Sequence, residues 1–243
     1  MAFIRKFFKG WLVLMAVFSY LKAAGQSQAF HFSPELATFQ MGHLKDVMQD
    51  NLNSGDWGNV PVKLTSDYPA FPGYFMGYDY PITKDGLSLG VSLGINSTGA
   101  RIHYADFSGE IDFSHAIESF NFGVVLTKQV NATTQKTSFY LGLEARLIQS
   151  QLRVASKLRI GEVSDVANIE FVSTSLAGMP FAKLSRPIYQ RFHGHLKLGY
   201  LIDFQADLKW RNDKSFVFFD SNRNTVKADW SGLRLSLGAS YVF

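Results

Sequence analysis

Apolar and polar residues alternate along most of this chain with a period of two. The cleanest run is the last one, Asp229 to Phe243. Leu233, Leu235, Leu237, Ala239, Tyr241 and Phe243 are apolar, while Gly232, Arg234, Ser236, Gly238 and Ser240 are small or polar. Successive side chains of a strand point to opposite faces, so this pattern predicts a strand with one greasy face and one wet face. The same pattern recurs upstream. Leu196, Leu198, Tyr200, Ile202, Phe204, Ala206, Leu208 and Trp210 oppose His193, His195, Lys197, Gly199, Asp203, Gln205, Asp207 and Lys209. Phe139, Leu141, Leu143, Ala145 and Leu147 oppose Tyr140, Gly142, Glu144 and Arg146. Phe120, Phe122, Val124 and Leu126 share a face, as do Leu87, Leu89, Val91, Leu93 and Ile95, and as do Tyr74, Met76, Tyr78 and Tyr80. Two further segments are less regular: Ala29 to Gln40, with Phe30, Phe32, Leu36 and Phe39, and Ala167 to Ala182, with Phe171, Ala177, Met179 and Phe181.

These eight segments are joined by connections of two kinds. Short polar turns are expected at Thr83 to Gly86, where Asp85-Gly86 is a hairpin signal, at Asn131 to Lys136, and at Lys183 to Arg191. Longer connections are expected at Gly42 to Pro69, Asp106 to Ala116, Gly161 to Asp165 and Arg211 to Lys227, the last with a tip at Asp220 to Asn224. In the first of these, Leu44, Val47, Met48 and Leu52 recur at helical spacing, so Gly42 to Leu52 is expected to be a short helix; packing over the barrel mouth is the favoured role, with lying on the lipid surface or docking a partner as alternatives. After Gly99 the apolar parity passes to Ile102 and Tyr104, which suggests a bulge. The expected fold is all-β: an eight-stranded antiparallel up-and-down transmembrane β-barrel with a short helix in its first outer loop. Its greasy faces meet lipid and its wet faces line the lumen. No apolar run of helix length follows residue 25, so a membrane crossing has to be made by a closed barrel, whose backbone groups all find partners.

Residues 1–25 are expected to be a signal peptide, with Arg5, Lys6 and Lys9 ahead of the apolar run Trp11 to Leu21, and small residues Ala23 and Gly25 at its end. The barrel domain is then 26–243. The leader holds four basic residues and no acidic ones, so of the 24 basic and 20 acidic residues in the chain, 20 of each remain beyond it. A mature chain of zero formal charge carries no electrostatic footprint for nucleic acid. There is no cysteine, and so no disulfide or thiolate metal site.

The leader, the eight alternating segments and the closing run Leu233 to Phe243 resemble the small bacterial outer-membrane β-barrels of the OmpA/OmpX-like superfamily. That resemblance implies an outer-membrane location. It also implies that Tyr241 and Phe243 form the signal read by the barrel-assembly machinery. Outer-membrane lipid and that machinery are the partners it implies, for a chain expected to be a monomer.

Candidate chemistry is sparse. Asp79, Glu144, Arg146, Lys197, Asp203 and Arg234 fall on lumen parity, and an eight-stranded barrel is only wide enough for side chains to fill it. They are expected to pair into a structural network, because unpaired buried charge is costly. His193 and His195 share a strand face at a spacing that can hold a metal, without a second ligand pair. His103 and His115 lie near outer loops, where a rim hydrolase would need one of them within about 3 Å of a Ser or carboxylate. Asp220, Asn222 and Asn224 alternate like calcium ligands but lack the closing Glu. Asn96-Ser97-Thr98 and Asn131-Ala132-Thr133 match glycosylation acceptors without an export context that uses them. No cofactor or metal is expected. The expected function is non-enzymatic, a structural or surface-interaction role through the outer loops. A narrow conduit for small or hydrophobic solutes is the alternative, and a rim hydrolase the second.

Overall fold

The structure is a computed structural model that describes residues 28–54, 61–107, 109–131, 137–160 and 163–243. The expected signal peptide lies outside the described residues, as do 132–136 of the second turn and 161–162 of the third outer connection. Among the described residues, twelve strands and one helix follow in order. They are β1 (Ala29–Ala37), α1 (Gly42–Ser54), β2 (Lys63–Asp67), β3 (Phe71–Pro81), β4 (Leu87–Ala105), β5 (Gly109–Gln129) and β6 (Ser138–Ile160). Then come β7 (Val163–Tyr189), β8 (Phe192–Asp203), β9 (Ala206–Asp207), β10 (Lys209–Trp210), β11 (Lys227–Ala228) and β12 (Gly232–Val242).

Eight of these strands close a ring. β1 pairs with β3, each strand from β3 to β7 pairs with the next, β8 pairs with β12, and β12 returns to β1, all antiparallel. The last strand turns its odd residues outward and its even residues inward, with Arg234 and Ser236 buried and Leu233, Leu235 and Leu237 exposed. The exposed apolar residues form an outer belt: Leu36 on β1, Tyr74 on β3, Ile95 on β4, Phe122 on β5, Leu143 on β6, Leu176 on β7 and Leu198 on β8. Gly232 enables the start of the closing strand. Its φ is +151°, and a Cβ there would collide with the carbonyl of Thr38, just beyond β1.

Four strands overrun the membrane. About ten tilted residues cross the bilayer, whereas β4, β5, β6 and β7 have 19, 21, 23 and 27. Much of the expected connection Asp106 to Ala116 is therefore strand, since β4 and β5 pair from Leu87 with Lys128 to Ala105 with Glu110. The expected turn Lys183 to Arg191 shrinks in the same way. β7 runs on to Tyr189, and the reversal is made at Gln190 and Arg191, with Gln190 at φ +44°.

The expected bulge after Gly99 is absent from the β4–β5 ladder, whose register never shifts. What changes is the polarity of the two faces. On β6 the outward residues pass from Leu143, Ala145 and Leu147 to Gln149, Gln151 and Arg153, while the inward ones pass from Glu144 and Arg146 to Ile148, Ser150 and Leu152. On β4 the inward residues become Ala100 and Ile102, both buried. The barrel thus has a polar interior within the membrane and an apolar interior above it. The bulge lies on β2, where Leu64 faces Ile102 but Ser66 faces Arg101, leaving Thr65 extra.

The apolar upper interior needs a cover, and α1 supplies it together with Met41 just ahead of it. Met41, Leu44, Val47 and Met48 are buried, and they join one core cluster with Ile102, Ile117, Ile148, Leu152, Leu208, Val226 and Trp230. The long seventh segment ends earlier than its parity indicates: β8 stops at Asp203. Gln205 then adopts φ +44°, and the chain folds over the mouth, where Leu208 is fully buried rather than lipid-facing. There β9 pairs with β11, and β10 pairs with β7.

Candidate functional site: a filled lumen beneath an outer cap

The lumen is filled in layers. In the lowest, Lys183 donates to Asp79 at 3.2 Å, His31 lies 3.7 Å from the same carboxylate, and the His31 and His195 rings meet edge to face at 5.9 Å. His195 also shares a 3.0 Å hydrogen bond with Ser240. In the middle layer, Glu144 accepts from Arg146 at 2.8 Å, from Lys197 at 2.8 Å and from Ser92 at 2.6 Å. Arg146 reaches across the barrel to Glu35 at 3.4 Å and lies on the Phe75 ring at 4.4 Å. Glu35 also accepts from Ser236 at 3.1 Å and faces Arg234 at 3.6 Å. Glu35, Glu144 and Arg234 have no accessible surface, and Arg146 has 1%. In the upper layer Arg234 donates to the carbonyls of Thr38 and Trp230 and lies over the Phe39 ring.

The structure brings together Glu144, Arg146 and Lys197, and links Arg234 to them through Glu35. Asp79 belongs to the lower layer with Lys183. Asp203 stands apart at the top of β8. Its carboxylate accepts the backbone N–H groups of Trp230 at 3.1 Å and Gln205 at 3.2 Å, and so anchors the return of the chain into β12. Sequence reasoning misses Glu35, Lys183 and His31. Ser33, Glu35 and Ala37 do alternate toward the lumen, but on the irregular first segment, and Lys183 reads as the start of a turn. With them the lumen network holds the acids Glu35, Asp79 and Glu144 against the bases Arg146, Lys183, Lys197 and Arg234. Each charge of this network has an opposite one nearby, which a low-dielectric interior requires.

Tyr241 and Phe243 lie at the short-turn end. Tyr241 meets the Phe192 ring at 5.0 Å and the Phe243 ring at 5.1 Å, so the closing strand ends in an aromatic cluster. His193 and His195 both face the lumen, and the hydrogen-bond partner of His195 is Ser240 rather than another metal ligand.

The two outer histidines have separate partners. His115 hydrogen-bonds the Tyr68 hydroxyl at 2.7 Å, and His103 comes no nearer than 3.7 Å to Asp112. His103, Glu110 and Asp112 do cluster on the β4–β5 hairpin. Both carboxylates there already hold a cation: Arg101 binds Asp112 through two nitrogens, and Lys157 donates to Glu110 at 2.7 Å. The hydrogen bond from Lys157 holds the Glu110 carboxyl below its ordinary range. This is a cross-strand ion-pair cluster, continued on β7 and beyond by Arg153 and Arg211 on Glu170. The Asp220 carboxylate is likewise consumed, accepting the backbone N–H groups of Asn222 at 2.9 Å and Asn224 at 2.7 Å in a tight Asx turn. Asn96 is buried on the lumen face of β4. Asn131 ties its own turn together by accepting the Phe139 N–H, while the rest of that acceptor motif lies outside the described residues.

No protein-family model matches the chain, and no curated protein is significantly similar to it. Solved structures are. A major outer membrane protein from Thermus thermophilus is 11% identical with a TM-score of 0.51, over 89% of this chain and 99% of that one. Neisserial surface protein A is 14% identical with a TM-score of 0.42, over 90% and 99% of the two chains. Ail, the attachment invasion locus protein of Yersinia pestis, is 16% identical with a TM-score of 0.35, over 89% and 98%. At these identities the likeness is one of fold. Taken with the closed ring, the apolar outer belt and the polar lumen, it makes the chain a small β-barrel of the outer-membrane kind, crossing the outer membrane with eight strands.

Proposed function

We propose that this protein is a non-enzymatic, monomeric outer-membrane scaffold that presents the outer part of β4 to β7, with its cap, to a partner at the cell surface. The observation that carries this reading is the lumen. The Glu35–Arg146–Glu144–Lys197 network spans it at mid-height, with Arg146, Glu35 and Glu144 withdrawn from solvent. Breaking such a network exposes uncompensated charge, so thermal motion does not open a water path through it. Above it, the ion-paired outward face of β4 to β7 stands clear of the bilayer. A conduit for small hydrophobic solutes is the competing reading, and the apolar upper lumen (Ile148, Leu152, Met179, Leu201) is what favours it.

Reconstitution separates the two. Purified protein in planar bilayers is expected to give no discrete conductance steps, and proteoliposomes to take up a short alkane no faster than protein-free vesicles. Steps, or protein-dependent uptake, would replace the scaffold by the conduit.

A further inference from the structure

Below the cap, outside the membrane, lies one buried titratable pair that the lumen network does not touch. His115 sits on β5, five residues above Phe120, and faces inward between Ala100 of β4 and Val154 of β6. It is 2% exposed, as is Tyr68. Tyr68 comes from the other side, in the connection that leads from β2 to β3. Its hydroxyl meets His115 Nδ1 at 2.7 Å, and its backbone N–H donates to the Gly99 carbonyl at 2.8 Å. The residue adopts φ +45°, a left-handed conformation that strains a non-glycine backbone. The β4–β5 wall and the chain leaving β2 therefore meet through this pair, beside the backbone pairing of β2 with β4.

Among the described residues the imidazole has no acid to receive it. Phe113 packs on the ring at 5.2 Å, and Nε2 has no hydrogen-bond partner among the described residues. From β4 and β6 the neighbours are Ala100 and Val154, and the cap turns Met41, Leu44, Val47 and Met48 into the core. The charged residues that flank these positions, Arg101 and Arg153, lie on the opposite face of the sheet, and Asp67, beside Tyr68, is exposed. Only the neutral imidazole suits such a place.

We propose that the Tyr68–His115 pair is an acid-sensitive latch: protonation of His115 releases α1 and β2 from the β4–β5 wall while the membrane barrel stays closed. The protonated ring carries an N–H on both nitrogens, so Nδ1 can only donate to the Tyr68 hydroxyl, whose own proton then has to point into an apolar core. The Nε2–H, with a full charge behind it, has no acceptor among the described residues. Opening hydrates both. Burial depresses the His115 pKa from 6.5 to about 4. A histidine that is neutral in the closed state and free to protonate in the open one leaves closure at full strength above about pH 6.5. Closure then weakens as pH falls from about 6.5 to about 4, up to tenfold per pH unit.

Hydrogen exchange of the full-length protein in detergent micelles tests this. After correction for intrinsic exchange rates, opening of α1 and β2 is expected to rise about 30-fold between pH 7.5 and 5, while β8 and β12 stay protected. In His115→Leu the rise should vanish. In Tyr68→Phe opening should already be raised at pH 7.5 and the pH dependence should persist. An equal rise in His115→Leu, or a flat response in the wild type, overturns the latch. Heat-modifiable gel mobility confirms that each variant has formed its barrel. If His115→Leu does not form one, His115→Phe carries the same comparison.

Discussion

Replacing Glu35 with Gln is expected to lower the unfolding free energy of the barrel by about 3–5 kcal/mol, the usual cost of leaving a buried charge without its partner. Glu35 stands between two guanidinium groups, Arg146 at 3.4 Å and Arg234 at 3.6 Å, and all three are almost completely withdrawn from solvent. The amide keeps the shape and the hydrogen bond from Ser236, so the loss isolates charge. It should be read as a shift in the urea midpoint at unchanged slope. The diagnostic is the double variant. Glu35→Gln with Arg234→Met removes one acid and one base together, and should recover more than half of the loss, because an apolar replacement for a buried pair is often nearly neutral. A double variant no more stable than Glu35→Gln would mean that Glu35 acts through packing.

The second large effect is expected at Trp230. The residue is 1% exposed, its ring meets Phe39 edge-on at 5.2 Å, and its Nε1 donates to Ser150 at 2.8 Å. Its backbone N–H goes to Asp203, and its carbonyl accepts from Arg234. The residue thus sits where the polar lumen gives way to the apolar cap. Trp230→Ala should cost about 3–5 kcal/mol, through lost burial and the cavity left behind. Trp230→Phe should cost clearly less, since it forfeits only part of the volume and the bond to Ser150. Urea titration followed by gel mobility measures both. Equal losses would place the effect in the hydrogen bond instead of the cavity.

The residues that reveal the fold in the sequence are those facing lipid. Leu141 to Leu147 or Leu233 to Leu237 can alternate only if one side meets apolar surroundings along the whole segment, and no other constraint interferes. The lumen is legible by difference, so Glu144, Arg146, Lys197 and Arg234 stand out. Glu35 does not, because Pro34 and Phe39 interrupt the pattern of its strand. What parity cannot show is where the membrane ends. Ile102 and Leu208 read as lipid-facing or as products of a bulge, because an apolar residue above the bilayer turns inward for the same reason that one within it turns outward. Nor does local sequence announce the left-handed Gln205, which redirects the chain into the cap. The Tyr68–His115 contact joins residues 47 apart and has no local signature.

The exchange of polarity along β4 to β7 has a mechanical consequence. A strand such as β6, greasy outside below Gln149 and polar outside above it, cannot slide: two residues of descent would carry Gln149 into hydrocarbon, and two of ascent would bring Leu147 into water. Depth in the bilayer is therefore encoded to within about one strand repeat. The stretch from Gln149 to Ile160 belongs to the same unbroken strand, so at about 3.3 Å per residue and a tilt near about 40° it rises roughly 30 Å. Whatever meets the top of that wall is held at a set standoff from the lipid surface, and a pull on it is delivered to the barrel without a hinge between.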